Sequence, residues 1–210
     1  GLVQINRGMG EKHADRERFL REHHELSRMM IAGHKPDLVV WPENILSVNL
    51  SSREGQLPSD ALGDLATPVL FGAILRLPSP DGPRYYNSAI LAGKTGHILG
   101  TYDKMALVPF GEYIPFGETF PRLYEWSPYS GHLWAGENVE PMMLGAHAIS
   151  VNICYEDIFP GQIRALMKGG QNGRIPEAMF NLTDDSWYGD TVEPTEHLAL
   201  ASFRSIEHRR

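Results

Sequence analysis

Residues 151–157 read Val151-Asn152-Ile153-Cys154-Tyr155-Glu156-Asp157, and they contain the only cysteine among the 210 residues of the chain. The run 146–153 alternates apolar with small or polar residues and is β-branched at alternate positions, which is typical of a strand. The run 157–167 has the apolar spacing of a helix. Cys154 is therefore predicted at a strand-to-helix junction that opens on a cleft, where helix-terminal N–H groups favour a nucleophilic thiolate. The alternative is a small buried hydrophobe, and the partners of the cysteine decide between the two.

Length and composition restrict the class of protein. A chain of 210 residues fits one α/β domain with a sizeable core, so 1–210 is predicted to be a single domain. The net charge of −7 argues against a nucleic-acid partner, because no basic stripe is available to neutralise phosphates. The nine histidines have no metal-ligand spacing, so we predict no metal and no other cofactor.

Both ends of the sequence look cut. The chain starts at Gly1 without a methionine or signal peptide, and it stops at Arg210 inside a predicted helix. It is therefore expected to be a piece of a longer protein, truncated at both ends. No apolar run approaches the roughly 20 residues of a membrane span, so the piece itself is expected to be soluble.

Predicted strands alternate with predicted helices along the chain. A polar loop is expected over 47–59, and a turn at 93–96 joins two strands into a hairpin. The first helix is predicted to bury Phe19, Leu20, Leu26, Met29 and Met30 on one stripe and to stop at Gly33. The expected strands are 2–5, 38–41, 69–75, 85–91, 97–102, 146–153 and 178–182. The expected helices are 15–32, 59–66, 157–167 and 194–209.

The segment from Met105 to Trp134 is rich in aromatic and aliphatic residues but follows no helical or strand period. Four prolines interrupt it. A long loop of this kind is usually functional, and its composition is too apolar for disorder. About half of its aromatic side chains are expected to cap the core. The others would form an exposed apolar patch, which is typical of a lipid, membrane or protein contact.

Three chemically distinct side chains follow predicted strands at the point where each strand ends. They are Glu43, Lys104 and Cys154. Position alone favours a solvated loop residue for Glu43, but the three together suggest convergence at one sheet edge. There the carboxylate would take the thiol proton, the ammonium would stabilise an oxyanion, and the sulfur would hold an acyl group as a thioester. The constellation predicts acyl transfer from an ester or an amide.

Three motifs carry a family resemblance: Trp41-Pro42-Glu43, Tyr102-Asp103-Lys104 and Asn152-Ile153-Cys154-Tyr155-Glu156. They match, in order, the catalytic blocks of the nitrilase (carbon-nitrogen hydrolase) superfamily. That resemblance implies an α/β fold of the nitrilase-like α-β-β-α sandwich type with a Glu-Lys-Cys triad. Residues 104–115 and 181–190 narrow the resemblance to the apolipoprotein N-acyltransferase family. It covers nearly all of the chain and implies that C-terminal strands and membrane helices are missing from this piece.

The resemblance implies a ping-pong reaction. Cys154 would attack a phospholipid acyl ester while Glu43 accepts its proton and Lys104 holds the oxyanion. The thioester would then acylate the N-terminal α-amine of a diacylglyceryl-cysteine, a step of lipoprotein maturation. Glu112 is expected to orient Lys104 or to assist proton transfer. Tyr155 and Glu156 match the residues that follow the family's nucleophile, and for Glu156 a direct role and a purely structural role on backbone N–H groups stay open.

The resemblance also implies two lipid substrates, a phospholipid acyl donor and a diacylglyceryl apolipoprotein acceptor, which meet at a membrane surface. It places such a domain on the periplasmic side of the bacterial inner membrane. The family's first block usually carries a tryptophan where this chain has Gly10-Glu11-Lys12-His13. Six side chains are expected to line or cover the acyl channel: Met105, Phe110, Tyr113, Phe116, Trp187 and Tyr188.

Two other functions compete with this interpretation. A soluble nitrilase-type amidase would hydrolyse the same thioester with water, but it has no need of a lipid-facing loop. A catalytically inactive binding module would hold lipoproteins on the apolar loop, but it has no need of Glu43, Lys104 and Cys154 together. Enhanced reactivity of the cysteine toward an alkylating reagent would separate an enzyme from the binding module.

Overall fold

The computed structural model describes residues 1–5, 15–127, 131–171 and 173–210. Within these ranges, eight strands form two sheets that are flanked by helices. The strands are β1 (Val39–Val40), β2 (Leu46–Asn49), β3 (Val69–Leu77), β4 (Arg84–Ala92), β5 (Ile98–Asp103), β6 (Met142–Leu144), β7 (His147–Ile153) and β8 (Ala178–Leu182). The helices are α1 (Arg16–His34), α2 (Arg122–Trp126), α3 (Pro160–Leu166) and α4 (Glu193–His208), with 3₁₀ helices at Cys154–Ile158 and Asp185–Tyr188.

The larger sheet has five strands in the order β1-β3-β4-β5, and β2 also pairs with β3. β1 and β2 run parallel to β3, whereas β3, β4 and β5 form an antiparallel meander. The smaller sheet has the order β6-β7-β8, in which β7 and β8 are parallel. The ends of β1, β5 and β7 carry the residues on which the sequence interpretation depends.

Alternate residues of the central strands enter two different hydrophobic cores, as the two-residue period of a strand requires. Phe71 of β3 and Ile90 of β4 pack in a core with Phe19 of α1. Leu70 of β3 lies on the opposite face of the larger sheet and packs with Val151 of β7. The second core therefore lies between the two sheets. This layered α/β arrangement confirms the predicted fold class.

Helix α1 begins and ends where side-chain and backbone caps allow. The Asp15 carboxylate accepts a hydrogen bond from the Arg18 N–H (2.9 Å) at the N-terminus. The predicted stop at Gly33 is wrong, because the helix continues to His34. Lys35 takes the left-handed conformation (φ 47°) and its N–H donates to the Ile31 carbonyl.

The buried face of α1 is also more polar than predicted. Leu26 and Met29 are exposed, while His23, His24 and Ser27 are buried. These polar groups are tolerated because they find partners, such as the indole N–H of Trp41, which donates to the Ser27 hydroxyl (2.9 Å).

Several other expectations differ from the structure. Residues 59–66 form turns instead of a helix, β2 overlaps the start of the predicted polar loop, and residues 2–5 contribute an isolated bridge from Leu2 to Val40 instead of a strand. β6 was not predicted. The helix expected over 157–167 is divided at Phe159, between the Cys154–Ile158 3₁₀ helix and α3. The predicted hairpin, β8 and α4 are confirmed.

The segment 105–134 is irregular, as predicted, apart from the five-residue helix α2. Its residues 128–130 lie outside the described residues, as do residues 10–13, where the family's tryptophan is replaced. None of the helices in the described part of the chain has the length and apolar character that crossing a bilayer would require.

Candidate active site

Cys154 is the first residue after β7 and begins a 3₁₀ helix. Its backbone is left-handed (φ 54°), a conformation that costs a non-glycine residue about 1 kcal/mol. The residue lines a cavity of about 400 Å³, which confirms the predicted cleft. The expected preference for thiolate is wrong, however. Burial and the nearby Glu43 carboxylate raise the pKa of the Cys154 thiol more than Lys104 lowers it, so the resting group is a thiol.

Glu43 follows β1 and is buried beside the cavity. Its carboxylate accepts hydrogen bonds from the Asn87 side chain (2.7 Å) and from the backbone N–H of Asp184 (3.1 Å). The chain can pass this close to β3 because position 72 is glycine; a Cβ there would lie 2.5 Å from the Glu43 Cα. Burial raises the pKa of Glu43 to about 7, although Lys104 and Asn87 oppose the shift.

Lys104 follows β5 and is almost completely buried between two carboxylates. Its Nζ lies 2.9 Å from both oxygens of Glu112 and 3.8 Å from Oε1 of Glu43. Burial lowers the pKa of Lys104, but the charges of Glu43 and Glu112 raise it more, so the net shift is upward. The ammonium is therefore retained in a site from which water is largely excluded.

Asn87 connects the two carboxylates and was not found by sequence reasoning. Its Nδ2 donates to Glu43 Oε1 (2.7 Å) and to Glu112 Oε1 (2.8 Å). The other Glu112 oxygen accepts from the backbone N–H of Val108 (2.9 Å), so the carboxylate also anchors the start of the irregular segment. The signal in the sequence is weak: Asn87 and Ser88 are polar residues next to the apolar run that completes strand β4.

Glu156 is completely buried and does not line the cavity. Its carboxylate accepts hydrogen bonds from the backbone N–H groups of Met105 (2.6 Å), Ala106 (3.0 Å) and Ile153 (2.8 Å). It also accepts from the side chains of Tyr102 and Gln162. These contacts join the backbone before Cys154 to the backbone after Lys104, which is the structural role left open for Glu156.

The six expected channel residues are divided between two cavities and the surface. Trp187 and Tyr188 line the 400 Å³ cavity together with Tyr155. Met105, Tyr113 and Phe116 line a neighbouring cavity of about 470 Å³, and Leu133 lines both. Phe110 lines neither and is 67% exposed.

A group of possible metal ligands lies beside the site. Among the described residues, Asp185, Glu193 and His197 have ligand atoms within 4.8 Å of one another. Burial raises the pKa of Glu193, while the histidine opposes that shift. The Nδ1 atom of His197 is hydrogen-bonded to Asp185. The absence of a metal stays a prediction.

Comparison with known proteins places this chain in a family. The family model described as carbon-nitrogen hydrolase matches residues 1–210, and the chain belongs to that family. A similar solved structure, Saccharomyces cerevisiae Nit3, a member of branch 10 of the nitrilase superfamily, has a TM-score of 0.63 at 19% identity. The match covers 92% of this chain and 67% of Nit3, and it shows the fold alone.

Two similar curated relatives are named apolipoprotein N-acyltransferase. The relative in Brucella suis biovar 1 is 38% identical over 188 residues, covering 82% of this chain and 32% of the relative. The relative in Sinorhizobium fredii is 34% identical over 221 residues, covering 98% of this chain and 40% of the relative. The chain therefore spans about a third to two fifths of the length of these relatives, and the similarity supports an enzyme of this kind.

Proposed function

We propose that this chain is the catalytic domain of an apolipoprotein N-acyltransferase, with Glu43, Lys104 and Cys154 as catalytic residues. One observation carries this proposal. A carboxylate whose pKa lies at about 7 and a buried ammonium line the same cavity as a thiol that is protonated at rest. A base of this pKa can both remove and return a proton near neutral pH, as a two-step acyl transfer requires.

In the first step, Glu43 takes the thiol proton as the Cys154 sulfur attacks the carbonyl carbon of a phospholipid ester. The new S–C bond forms a tetrahedral intermediate, and the Lys104 ammonium stabilises its oxyanion. The ester C–O bond then breaks. The departing lysophospholipid oxygen takes the proton back from Glu43, which leaves an acyl-thioester on Cys154.

In the second step, the α-amine of a diacylglyceryl-cysteine attacks the thioester carbonyl. Glu43 takes a proton from the attacking nitrogen, the C–S bond breaks, and the proton passes to the sulfur of Cys154. The products are an amide and the original thiol, so the enzyme returns to its starting state. Glu112 holds Lys104 at 2.9 Å through both steps and accounts for the position of the ammonium.

The irregular segment supports lipid substrates. Its exposed aromatic side chains include Phe116, which lines the 470 Å³ cavity, and this cavity beside the reacting groups has a largely apolar lining suited to an acyl chain. An exposed apolar surface of this kind suits contact with a membrane. We propose that the domain acts at a membrane surface, on the periplasmic side of the bacterial inner membrane.

The test is the intact mass of the protein after incubation with phospholipid vesicles, alongside Cys154→Ala. We expect an added acyl mass on the wild type that hydroxylamine removes and that the variant lacks. If the wild-type protein forms no adduct but releases ammonia from small amides, the result contradicts acyl transfer and favours the amidase. Subsequent loss of the adduct on addition of a diacylglyceryl-cysteine peptide, with acylation of the peptide amine, would establish the second step.

A further inference from the structure

A buried histidine connects the segment that carries Cys154 to the aromatic wall of the cavity. His197 of α4 is 2% exposed. Its Nδ1 lies 3.0 Å from a carboxylate oxygen of Asp185, and its Nε2 lies 3.3 Å from one of Asp157. Asp157 belongs to the 3₁₀ helix that begins at Cys154, and Asp185 begins the 3₁₀ helix that carries Trp187. One imidazole ring thus faces both segments.

The two contacts of the ring differ in geometry. Nδ1 is hydrogen-bonded to Asp185, and because an ionised carboxylate only accepts hydrogen bonds, this nitrogen carries a proton and donates. Nε2 faces the Asp157 carboxylate at 3.3 Å without the geometry of a hydrogen bond. Burial lowers the pKa of His197, but the hydrogen bond to Asp185 and the charges of both aspartates raise it more. Glu193 on the same helix faces the ring as a further carboxylate, and Arg204 acts on Asp157. The Nδ1–H group of His197 therefore compensates the Asp185 carboxylate.

The same ring supports the residue that follows the nucleophile. The Tyr155 and His197 rings are stacked with centroids 4.2 Å apart and an interplanar angle of 4°. Aromatic rings that pack face against face in this way bury apolar area and hold each other in place. Tyr155 in turn meets the Tyr188 ring edge to face at 6.0 Å, and both tyrosines line the cavity. The position of this wall therefore depends on His197.

A shorter path leads from the histidine to the sulfur. The Thr183 hydroxyl donates to Asp185 (2.8 Å) and also hydrogen-bonds with the Cys154 thiol. The negative charge of Asp185 raises the pKa of that thiol, as does that of Glu43. The His197 hydrogen bond to Asp185 opposes part of this effect, because a donor N–H partly compensates the charge of the carboxylate that it contacts.

We propose that His197 is a positioning residue: its ring fixes Tyr155 and its Nδ1–H compensates the charge of Asp185, so that Cys154 can lose its proton during attack. This role rests on the acyl-transfer function proposed above. It predicts that an uncompensated Asp185 is harmful to the nucleophile. Removal of the carboxylate should then repair the loss of the histidine.

The experiment measures the rate of Cys154 alkylation by iodoacetamide near neutral pH in the purified protein. His197→Phe keeps a flat ring against Tyr155 but removes the N–H donor to Asp185. We expect alkylation to slow about tenfold, the factor that corresponds to one pKa unit of the thiol. The double variant His197→Phe with Asp185→Asn should return to within about threefold of the wild type, since asparagine still accepts from Thr183 and carries no charge. His34→Phe, at an exposed histidine on α1, is the matched control and should leave the rate unchanged.

Three results would overturn this role. An unchanged rate in His197→Phe would show that His197 does not act on the sulfur, and a slow rate that Asp185→Asn fails to restore would assign His197 to packing alone. If His197→Phe does not fold, as judged by its circular dichroism, His197→Gln with and without Asp185→Asn replaces it. Slower alkylation of the wild type after treatment with EDTA would instead assign Asp185, Glu193 and His197 to a metal ion. Alkylation needs no phospholipid, so these outcomes are decided even if no acyl-thioester forms.

Discussion

Two regions of the molecule reverse the usual distribution of residues. The floor of the reaction cavity comprises Glu43, Lys104 and Glu112, and Glu43 and Lys104 are 7% and 2% exposed although both are titratable. The exposed aromatic set, or rim, comprises Phe110, Phe116, Phe120, Trp126 and Trp187; Phe110, Phe116 and Trp187 are 67%, 77% and 68% exposed although they are large and apolar. Folded proteins normally bury large apolar side chains and expose titratable ones. Hydrogen bonds and ion pairs therefore support the floor, whereas the exposed rim matches the proposed contact with lipid.

Both regions cost stability, but in different ways. The floor holds the carboxylates of Glu43 and Glu112 around one ammonium, and removal of either kind of partner would leave a buried charge uncompensated. The rim holds Phe110 and Phe116 in the left-handed region at φ 63°, at about 1 kcal/mol each. Variants of the floor should change chemistry, and variants of the rim should change contact with lipid.

The largest expected effect is that of Glu43→Gln on acyl-enzyme formation. Loss of a general base reduces rates by about 10²–10⁴-fold. The base acts in its ionised form, so the wild-type rate should rise with pH through about 7, where Glu43 titrates, and then level off. The variant should lack that rise. Single-turnover mass spectrometry across pH measures both effects.

Glu25→Gln is the matched control for this change, because Glu25 is exposed on α1, away from the triad. It should keep both the rate and the rise near pH 7. A rise that persists in Glu43→Gln would assign the titration to another group and break the proposed division between floor and rim.

Lys104→Met should lower the rate by about 10²–10³-fold, the usual effect of removing a group that stabilises an oxyanion. It should also move the rise in rate to higher pH, because Lys104 lowers the pKa of Glu43 in the wild type. The same pH series measures this displacement. Lys94→Met, at an exposed lysine in the turn between β4 and β5, should change neither quantity. A lower rate without a displacement would mean that Lys104 does not act on Glu43.

A third effect concerns stability. The pKa of Glu43 is about 7 in the folded protein and 4.5 in an ordinary carboxyl, so the folded state binds the proton more tightly. The wild type should therefore lose stability as pH rises from about 4.5 to 7, by about 3 kcal/mol in all. Glu43→Gln does not titrate and should escape that loss. Urea unfolding at about pH 5 and about pH 8 compares the two proteins.

Only the pH-dependent part of the difference tests this prediction, because a change in packing caused by the substitution itself contributes equally at both pH values. Equal pH dependence in the wild type and Glu43→Gln would show that the carboxyl is solvated like an ordinary surface group. Glu25→Gln again serves as the control.

The sequence was sufficient to predict the elements that follow strong local patterns. Glu43, Lys104 and Cys154 each end an apolar strand, and the structure brings them to one cavity because β1 and β5 belong to one sheet that packs on β7. Asn87 could not be predicted in the same way. Its role depends on the pairing of β4 with β5, which brings it beside two carboxylates that are distant in sequence.

The charge state of Cys154 shows a different limit. A strand-to-helix junction predicts a thiolate, but the pKa of the thiol is set by burial and by Glu43, which only the packed structure reveals. The choice of residues that α1 buries is likewise decided by the packed structure. His23, His24 and Ser27 lie inside because the structure supplies partners such as Trp41, whereas hydrophobic spacing alone favours Leu26 and Met29.

The smallest expected effect is on the rim. Phe120 and Trp126 are 62% and 81% exposed and line neither of the two cavities described above. Phe120→Ser with Trp126→Ser should weaken binding of the 210-residue chain to phosphatidylcholine vesicles about tenfold, because each aromatic ring loses apolar area that the lipid would cover. Uncharged vesicles isolate this contribution from the repulsion that the net charge of −7 would create at an anionic surface. Co-sedimentation measures the binding, and alkylation of Cys154 should stay at the wild-type rate.

Met29→Ser is the matched control, since Met29 is 71% exposed on α1, a helix that packs against the core on the face of the larger sheet away from the smaller sheet. Equal loss in Met29→Ser would mean that any exposed apolar group suffices, and the rim would no longer be distinct from the rest of the surface.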